Sequence, residues 1–242
     1  MKLQEVYNFL DRLSPFELQE KWDNSGLIIG DRRREVSQVV VALDIDEAMI
    51  ETTQEGALFI VHHPLIFGKL SKLDFSTYPS NLIEKLILKK QSLIAMHTNF
   101  DQTHLNRYVF EKILGFRVTE QKPFVCFSKG NWSYKELLEL LKERLSLSEL
   151  KVVGKKEIIH SIALTTGSGA SLMDDVKADC FLTGDIKYHD AIKAMSEDLM
   201  MVDIGHYESE RFFEEILAQE LKNLPLLVII SHSKNPFHIE SI

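Results

Sequence analysis

The stretch QVVVALDIDEAMIETTQEGALFIVHHP (38–64) decides the fold, because two strand patterns flank one helical pattern within it. QVVVALD (38–44) and ALFIV (57–61) are short apolar runs bounded by polar residues, as buried strands are. The segment near 46–55 has helical periodicity. Strands that alternate with helices favour an α/β fold with a largely parallel sheet that helices cover on both faces.

The same alternation extends outward in both directions. An amphipathic helix opens the chain, with its apolar residues at Leu3, Val6, Leu10 and Leu13. The other strand patterns are GLIIG (26–30), SLIAM (92–96), IIHSIALTT (158–166), ADCFLT (178–183), LMMVDI (199–204) and LPLLVII (224–230). The other helical patterns lie near 79–90, 104–114, 170–176, 187–196 and 206–222.

The stretch 116–150 is less regular, although Ser133 and Glu136 form a capping box before a helical run. We interpret it as a joint between two halves. The whole pattern predicts one α/β domain over residues 1–242. We expect mixed, largely parallel sheets with helices on their faces, and two lobes of similar size, 1–125 and 126–242, with the functional site between them.

Composition narrows the class of protein. The 242 residues include 36 acids and 28 bases, a net charge of -8, which argues against a general nucleic-acid binder. The longest apolar runs are strand-length, so no membrane span is expected. Cys126 and Cys180 form neither a CxxC pair nor a disulfide framework. With no apolar run of signal-peptide type at the N-terminus, we expect a cytoplasmic protein.

Three clusters of polar residues could carry chemistry. VHHPLIF (61–67) ends a strand with His62 and His63, and AMHTNFD (95–101) ends another with His97 and Asp101. In VDIGHYESE (202–210), His206 and Glu210 open a helix at i and i+4, which stacks the two side chains on one face. Each cluster alone has an ordinary alternative, namely loop histidines bonded to backbone, a helix-capping aspartate, or a solvated His–Glu pair.

Taken together, the three clusters indicate a single site. All three clusters follow the carboxyl ends of strands, where open α/β sheets place their sites. The candidate ligands are His62, His63, Asp101, His206 and Glu210. One catalytic zinc takes three protein ligands, so five predict two divalent ions that share a water or hydroxide. A nitrogen and oxygen set without thiolate suits zinc, manganese, iron, cobalt or nickel.

These motifs resemble the GTP cyclohydrolase I type 2 homologue family, also called the NIF-three-like family. The resemblance spans residues 20–210 in the family's order and includes EKWDNSGLIIG (20–30) and TGDIKYHDA (183–191). It implies that the same five residues hold a dinuclear metal site. It also implies a toroidal homohexamer and the short form of the family, without an inserted middle domain.

Other residues are secondary candidates. His97 resembles a position close to the family's metals and is predicted to transfer a proton, with a backbone-bonded histidine as the alternative. Gly167, Ser168 and Gly169 link a strand to a helix and could offer N–H groups to a phosphate, although such a turn is more often only a turn. Asp185 and His189 are further candidates for contact with a small-molecule substrate. The sequence alone assigns no role to WDNSG (22–26).

The resemblance implies a metal-dependent hydrolase that converts GTP and water to 7,8-dihydroneopterin triphosphate and formate. There is no GxxxxGK[ST] loop, so a triphosphate would be held in some other way. Two alternatives stay open. One is a dinuclear phosphoesterase or nucleotide hydrolase of other specificity, and the other is a metal-binding regulatory scaffold that turns nothing over.

Overall fold

The structure is a computed structural model that describes residues 1–238 and 240. It contains two compact units, of which the first combines Met1–Phe100 with Phe213–Ile242 and the second is Asp101–Phe212. Neither junction coincides with the lobe boundary expected near residue 125. A cut there would separate two strands, Glu120–Lys122 and Val125–Ser133, that pair with each other.

The first unit is built on a five-stranded sheet in the order β1-β4-β3-β2-β11. Three of its four pairings are parallel, and only the edge pair β1–β4 is antiparallel. Its strands are β1 (Gly26–Ile29), β2 (Gln38–Ala42), β3 (Leu58–Val61), β4 (Ser92–Ala95) and β11 (Leu227–Ile230). Its longer helices are α1 (Leu3–Leu13), α2 (Glu47–Thr52), α3 (Ser80–Leu88) and α9 (Phe213–Leu221).

The core of this unit follows from the apolar strand patterns. Every residue of β2, β3 and β4 is buried, as expected for parallel strands covered on both faces. Met49 and Ile50 of α2, with Leu82, Ile83 and Leu86 of α3, pack on one side of these strands. Burial of side chains of this size stabilises the fold by about 1.5–3 kcal/mol each.

The second unit is built on a six-stranded mixed sheet in the order β5-β6-β8-β9-β10-β7. Strands β8, β9 and β10 run parallel, and the outer pairings are antiparallel. The strands are β5 (Glu120–Lys122), β6 (Val125–Ser133), β7 (Lys151–Val153), β8 (Ile158–Leu164), β9 (Cys180–Thr183) and β10 (Met200–Asp203). The helices are α6 (Tyr134–Leu145), α7 (Tyr188–Ser196) and α8 (His206–Glu210), with a 3₁₀ segment at Ala170–Asp175.

The helical segment 98–113 alternates two hydrogen-bonding patterns. It consists of α4 (Thr98–Phe100), a π segment (Asp101–Leu105), α5 (Asn106–Tyr108) and a second π segment (Val109–Ile113). The segment begins earlier than the predicted helix near 104–114, because the Asp23 carboxylate accepts the Thr98 N–H (3.1 Å) and caps it from far along the chain. Single-turn π segments are frequent at functional sites.

The mixed α/β fold predicted from the sequence is confirmed. The capping box of Ser133 and Glu136 is present at the start of α6. The predicted helix 206–222 is divided into α8 and α9 around Arg211 and Phe212. Among the helices of the described residues, none has the length and apolar character that a bilayer span requires.

Candidate functional site

The backbone of His62 and His63 is fixed by the end of the neighbouring strand. Parallel pairing places Val61 beside Ala42, and the Leu43 carbonyl then accepts both the His62 and His63 N–H groups (3.1 Å each). The HHP motif therefore leaves β3 in a defined path at the carboxyl edge of the sheet, as predicted. His62 is fully buried, whereas His63 is partly exposed.

Oxygen acceptors orient both rings through Nδ1. His62 Nδ1 donates to the Met96 carbonyl oxygen (2.9 Å), and His63 Nδ1 donates to Asp44 Oδ1 (2.9 Å). A carbonyl or carboxylate oxygen can only accept, so Nδ1 carries the hydrogen and Nε2 carries the lone pair of the neutral ring. A histidine that binds a metal ion has this arrangement in nearly all metal sites.

The ring of His97, which follows β4, is oriented in the same way. Its Nδ1 donates to Asp23 Oδ1 (2.9 Å), and its backbone N–H donates to Ser25 Oγ (3.1 Å). Burial of Asp23 opposes its charged form, but the hydrogen bond and charge of His97, with the Thr98 hydroxyl, hold the pKa of this carboxyl well below its usual range. Asp23 is therefore an anion that fixes the His97 ring.

The first unit thus gathers three imidazoles in one place. One ring nitrogen from each of His62, His63 and His97 lies within 4.8 Å of the others. Three imidazoles, each turned by an oxygen acceptor, fit the nitrogen-rich sites that zinc and other first-row metals occupy. His97, which the sequence predicts as a proton carrier, therefore lies beside two of the predicted metal ligands.

In the second unit, His206 and Glu210 form the pair that their spacing predicts. His206 Nε2 lies 2.9 Å from Glu210 Oε2, and His206 Nδ1 donates to Asp185 Oδ2 (2.7 Å). Asp185 adopts a left-handed backbone conformation (φ 54°), which Asp tolerates better than most residues. The carboxylate expected to contact substrate therefore orients His206.

Glycines surround this pair closely. A Cβ at Gly167 would overlap Glu210 Oε1, and the residue has a positive φ of 60°. A Cβ at Gly184 would lie 2.7 Å from the His206 backbone nitrogen. Only residues without a side chain therefore fit at these two positions, and the β8 and β9 turns pack directly against α8.

The Gly167–Gly169 turn donates two of its backbone N–H groups to side chains of the second unit. The Gly167 N–H donates to Ser209 Oγ (3.0 Å), and the Gly169 N–H donates to Thr183 Oγ1 (2.8 Å). Both N–H groups are engaged within the second unit, and contact between this turn and a phosphate stays a prediction. Ser168, between them, is exposed.

Two predicted residues of the second unit remain, Asp101 and His189, and a carboxylate oxygen of Asp101 lies within 4.8 Å of one of Glu210. Asp101 is buried and begins the first π segment. His189 is exposed at the start of α7, with its ring against Tyr188. Their roles stay predictions.

Sequence reasoning missed Asp23 and Asp44 as partners of His97 and His63. Asp44 follows β2 at the carboxyl edge of the sheet, and Asp23 lies in the WDNSG segment, so each had a positional signal. Both cysteines are buried, and burial raises the pKa of the Cys126 thiol to about 12. Neither thiol has the low pKa of a reactive cysteine.

Comparisons with known proteins agree with the motifs. The model of the Duf34/NIF3 (NGG1p interacting factor 3) family matches residues 1–236. A Campylobacter jejuni protein named GTP cyclohydrolase 1 type 2 homolog is 52% identical over 239 residues, 98% of this chain and 99% of the relative. A Helicobacter pylori protein (strain J99) named GTP cyclohydrolase 1 type 2 is 43% identical over 98% of each chain.

Solved structures show the same similarity. A hypothetical protein of Staphylococcus aureus is 25% identical and aligns with a TM-score of 0.85 over 99% of each chain. A Bacillus cereus protein described as related to NIF3 shares the fold, with a TM-score of 0.84 and 99% coverage of each chain at 19% identity. The family model, the two relatives and the solved structures each match nearly the whole length of this chain. The chain therefore belongs to the Duf34/NIF3 family.

Proposed function

We propose that this chain is a metal-dependent hydrolase of the GTP cyclohydrolase I type. Its reaction would convert GTP and water to 7,8-dihydroneopterin triphosphate and formate. Two divalent ions would be held by His62, His63, Asp101, His206 and Glu210. The names of the Campylobacter jejuni and Helicobacter pylori relatives support this class of substrate.

The observation that carries the proposal is the shared orientation of the histidines. Nδ1 of His62 and His63 each donates to an oxygen acceptor, so Nε2 of each neutral ring carries the lone pair. His206 Nδ1 donates to Asp185 in the same way, and its Nε2 lies beside the Glu210 carboxylate, the other predicted ligand of α8. Metal-binding histidines are oriented in this way, and the acceptor raises the basicity of the ring.

Bound divalent metal ions would act as Lewis acids and lower the pKa of a bound water to near neutrality. His97 would hold and return a proton at Nε2. Asp23 accepts the His97 Nδ1–H, which fixes the tautomer and stabilises the ring when it is charged. A base that moves protons in this way contributes about 10²–10⁴-fold to rate.

Formate release from GTP tests the proposal, with the metal content of each variant measured in parallel. Asp101→Asn keeps the size of the side chain but removes the charge that attracts a cation, so metal and formate release should both be lost. His97→Gln should keep its metal while the rate falls by about 10²–10⁴-fold. His160→Gln, at an exposed position of β8, is the matched control and should change neither.

Product analysis separates the proposal from its alternatives. Release of inorganic phosphate or a nucleotide monophosphate in place of formate would identify a phosphoesterase. Formate release that is unchanged in metal-depleted Asp101→Asn protein would come from a contaminating enzyme and would contradict the proposal.

A further inference from the structure

The WDNSG segment (22–26) is fastened at two points in the first unit. Asp23 bonds to the His97 ring and to the Thr98 N–H and hydroxyl. Asn24 Nδ2 donates to the Ile66 carbonyl oxygen (2.7 Å), in the chain that follows the HHP motif. These bonds hold Trp22 beside Phe67.

Trp22 and Phe67 form an exposed aromatic pair. Their ring centroids are 5.7 Å apart with planes 29° from parallel, a stacked arrangement. Trp22 is 57% exposed and Phe67 is 50% exposed. A pair held by hydrogen bonds yet half open to solvent contributes less to the core than a buried pair would, so its position needs another explanation.

The aromatic pair lies beside the three histidines that the first unit brings together. The His97 ring lies 5.9 Å from Trp22 and 5.6 Å from Phe67, edge-on to both. The same ring is 5.1 Å from His62 and 5.6 Å from His63. Because the two rings face each other, a planar molecule would stack on the outer face of one of them. Either ring has its centroid within 5.9 Å of that of His97, the residue to which we assign proton transfer.

We propose that Trp22 and Phe67 bind the heteroaromatic base of the substrate by stacking, which deepens the proposed function and rests on it for the identity of that base. Every nucleobase has a π face, and stacking on an aromatic side chain needs no particular hydrogen-bonding pattern. The pair thus sets the class of substrate, a planar nitrogen heterocycle, while guanine specificity depends on other contacts.

We call the Trp22–Phe67 pair the platform. Calorimetric titration with guanosine, adenosine, uridine and inorganic tripolyphosphate tests whether it binds a base, without requiring turnover. Trp22→Ala and Phe67→Ala should each weaken nucleoside binding by about ten- to a hundredfold. Trp22→Phe should retain most of the affinity, because it keeps an aromatic face. Phe75→Ala removes another exposed aromatic side chain of the same unit and should have no effect. Tripolyphosphate affinity should be the same in all variants.

The results separate this proposal from the reaction assigned above. Wild-type affinity for nucleosides in Trp22→Ala, an equal loss of tripolyphosphate binding, or no nucleoside binding by the wild-type protein would each overturn the platform. Binding of adenosine or uridine but not guanosine, lost in Trp22→Ala, would support the platform and contradict a guanine substrate. Formate release with an unchanged KM for GTP in Trp22→Ala would uphold the reaction and refute the platform.

Discussion

Carboxylates that orient histidines are the central feature at the scale of single residues. Asp44, Asp23 and Asp185 each accept the Nδ1–H of one histidine, at 2.9, 2.9 and 2.7 Å. Their charge raises the basicity of the ring, and their position sets the direction of Nε2. These acids would therefore support the proposed metal binding without being ligands.

Removal of that charge should weaken metal binding. Asp44→Asn and Asp185→Asn should each lower metal affinity by about ten- to a hundredfold, because an amide accepts the same hydrogen bond without the negative charge. Competition against a chromogenic chelator measures the change. Asp174→Asn, which removes an exposed acid paired with Lys193, is the control and should leave the affinity unchanged. Equal affinities in all three variants would refute the role of the two acids.

Gly167 offers a sharper test of the Glu210 position. Gly167→Ala and Gly115→Ala both place a side chain at positive φ (60° and 76°), which costs about 1–2 kcal/mol of unfolding free energy in each variant. Only the Gly167 Cβ would overlap the Glu210 carboxylate, whereas nothing lies within 4 Å of a Cβ at Gly115. We expect loss of metal only in Gly167→Ala. Full metal content in that variant would show that Glu210 is not a required ligand.

The candidate ligands could be named from the sequence, but the residues that orient them could not. His62, His63, His206 and Glu210 lie within short motifs whose spacing places them at strand ends or on one helix face. Asp23 and His97 are 74 positions apart, and Asp44 and His63 are 19 apart. Such pairs meet only through sheet topology, which a local pattern does not specify. The acceptors of the glycine-turn N–H groups, Ser209 and Thr183, are remote in the same way and could not be predicted.

At the scale of elements, apolar strands were predictable and polar ones were not. All eight predicted strand patterns contain strands of the structure, because they are short buried runs. β5, β6 and β7 were missed. The end of β6 includes Lys129, Gly130 and Trp132, and its register shifts between Lys129 and Trp132. This mixture of glycine, charge and irregular pairing removes the alternation on which strand prediction depends.

Glu214 connects α9 to two other segments of the first unit, one at Leu43 and one at Ser233. Its carboxylate is buried and accepts the N–H groups of Leu43 (3.1 Å) and Ser233 (3.0 Å). Glu214→Ala would remove both of these hydrogen bonds from a buried carboxylate, so the unfolding free energy should fall by about 2–4 kcal/mol. Denaturant titration measures it. Glu215→Ala, at the exposed next position, should change it by less than about 0.5 kcal/mol, and equal losses would contradict the account.

At the scale of the whole molecule, we expect the chain to assemble into an oligomer larger than a dimer, most simply a hexamer. The reason is its membership of the family, whose toroidal assembly the motif resemblance implies. Sedimentation velocity at micromolar concentration should give a species near six times the 27.9 kDa chain mass. A single species at the mass of one chain would contradict this expectation.

The central claim is that two metal ions are bound by five residues of this chain. Elemental analysis of protein purified without chelator tests it most directly, with the His206→Ala/Glu210→Ala double variant beside the wild type. We predict close to two equivalents of divalent metal per wild-type chain and none in the folded double variant. Two equivalents retained in the double variant, or none in the wild type after exposure to zinc, manganese, iron, cobalt or nickel, would contradict the account.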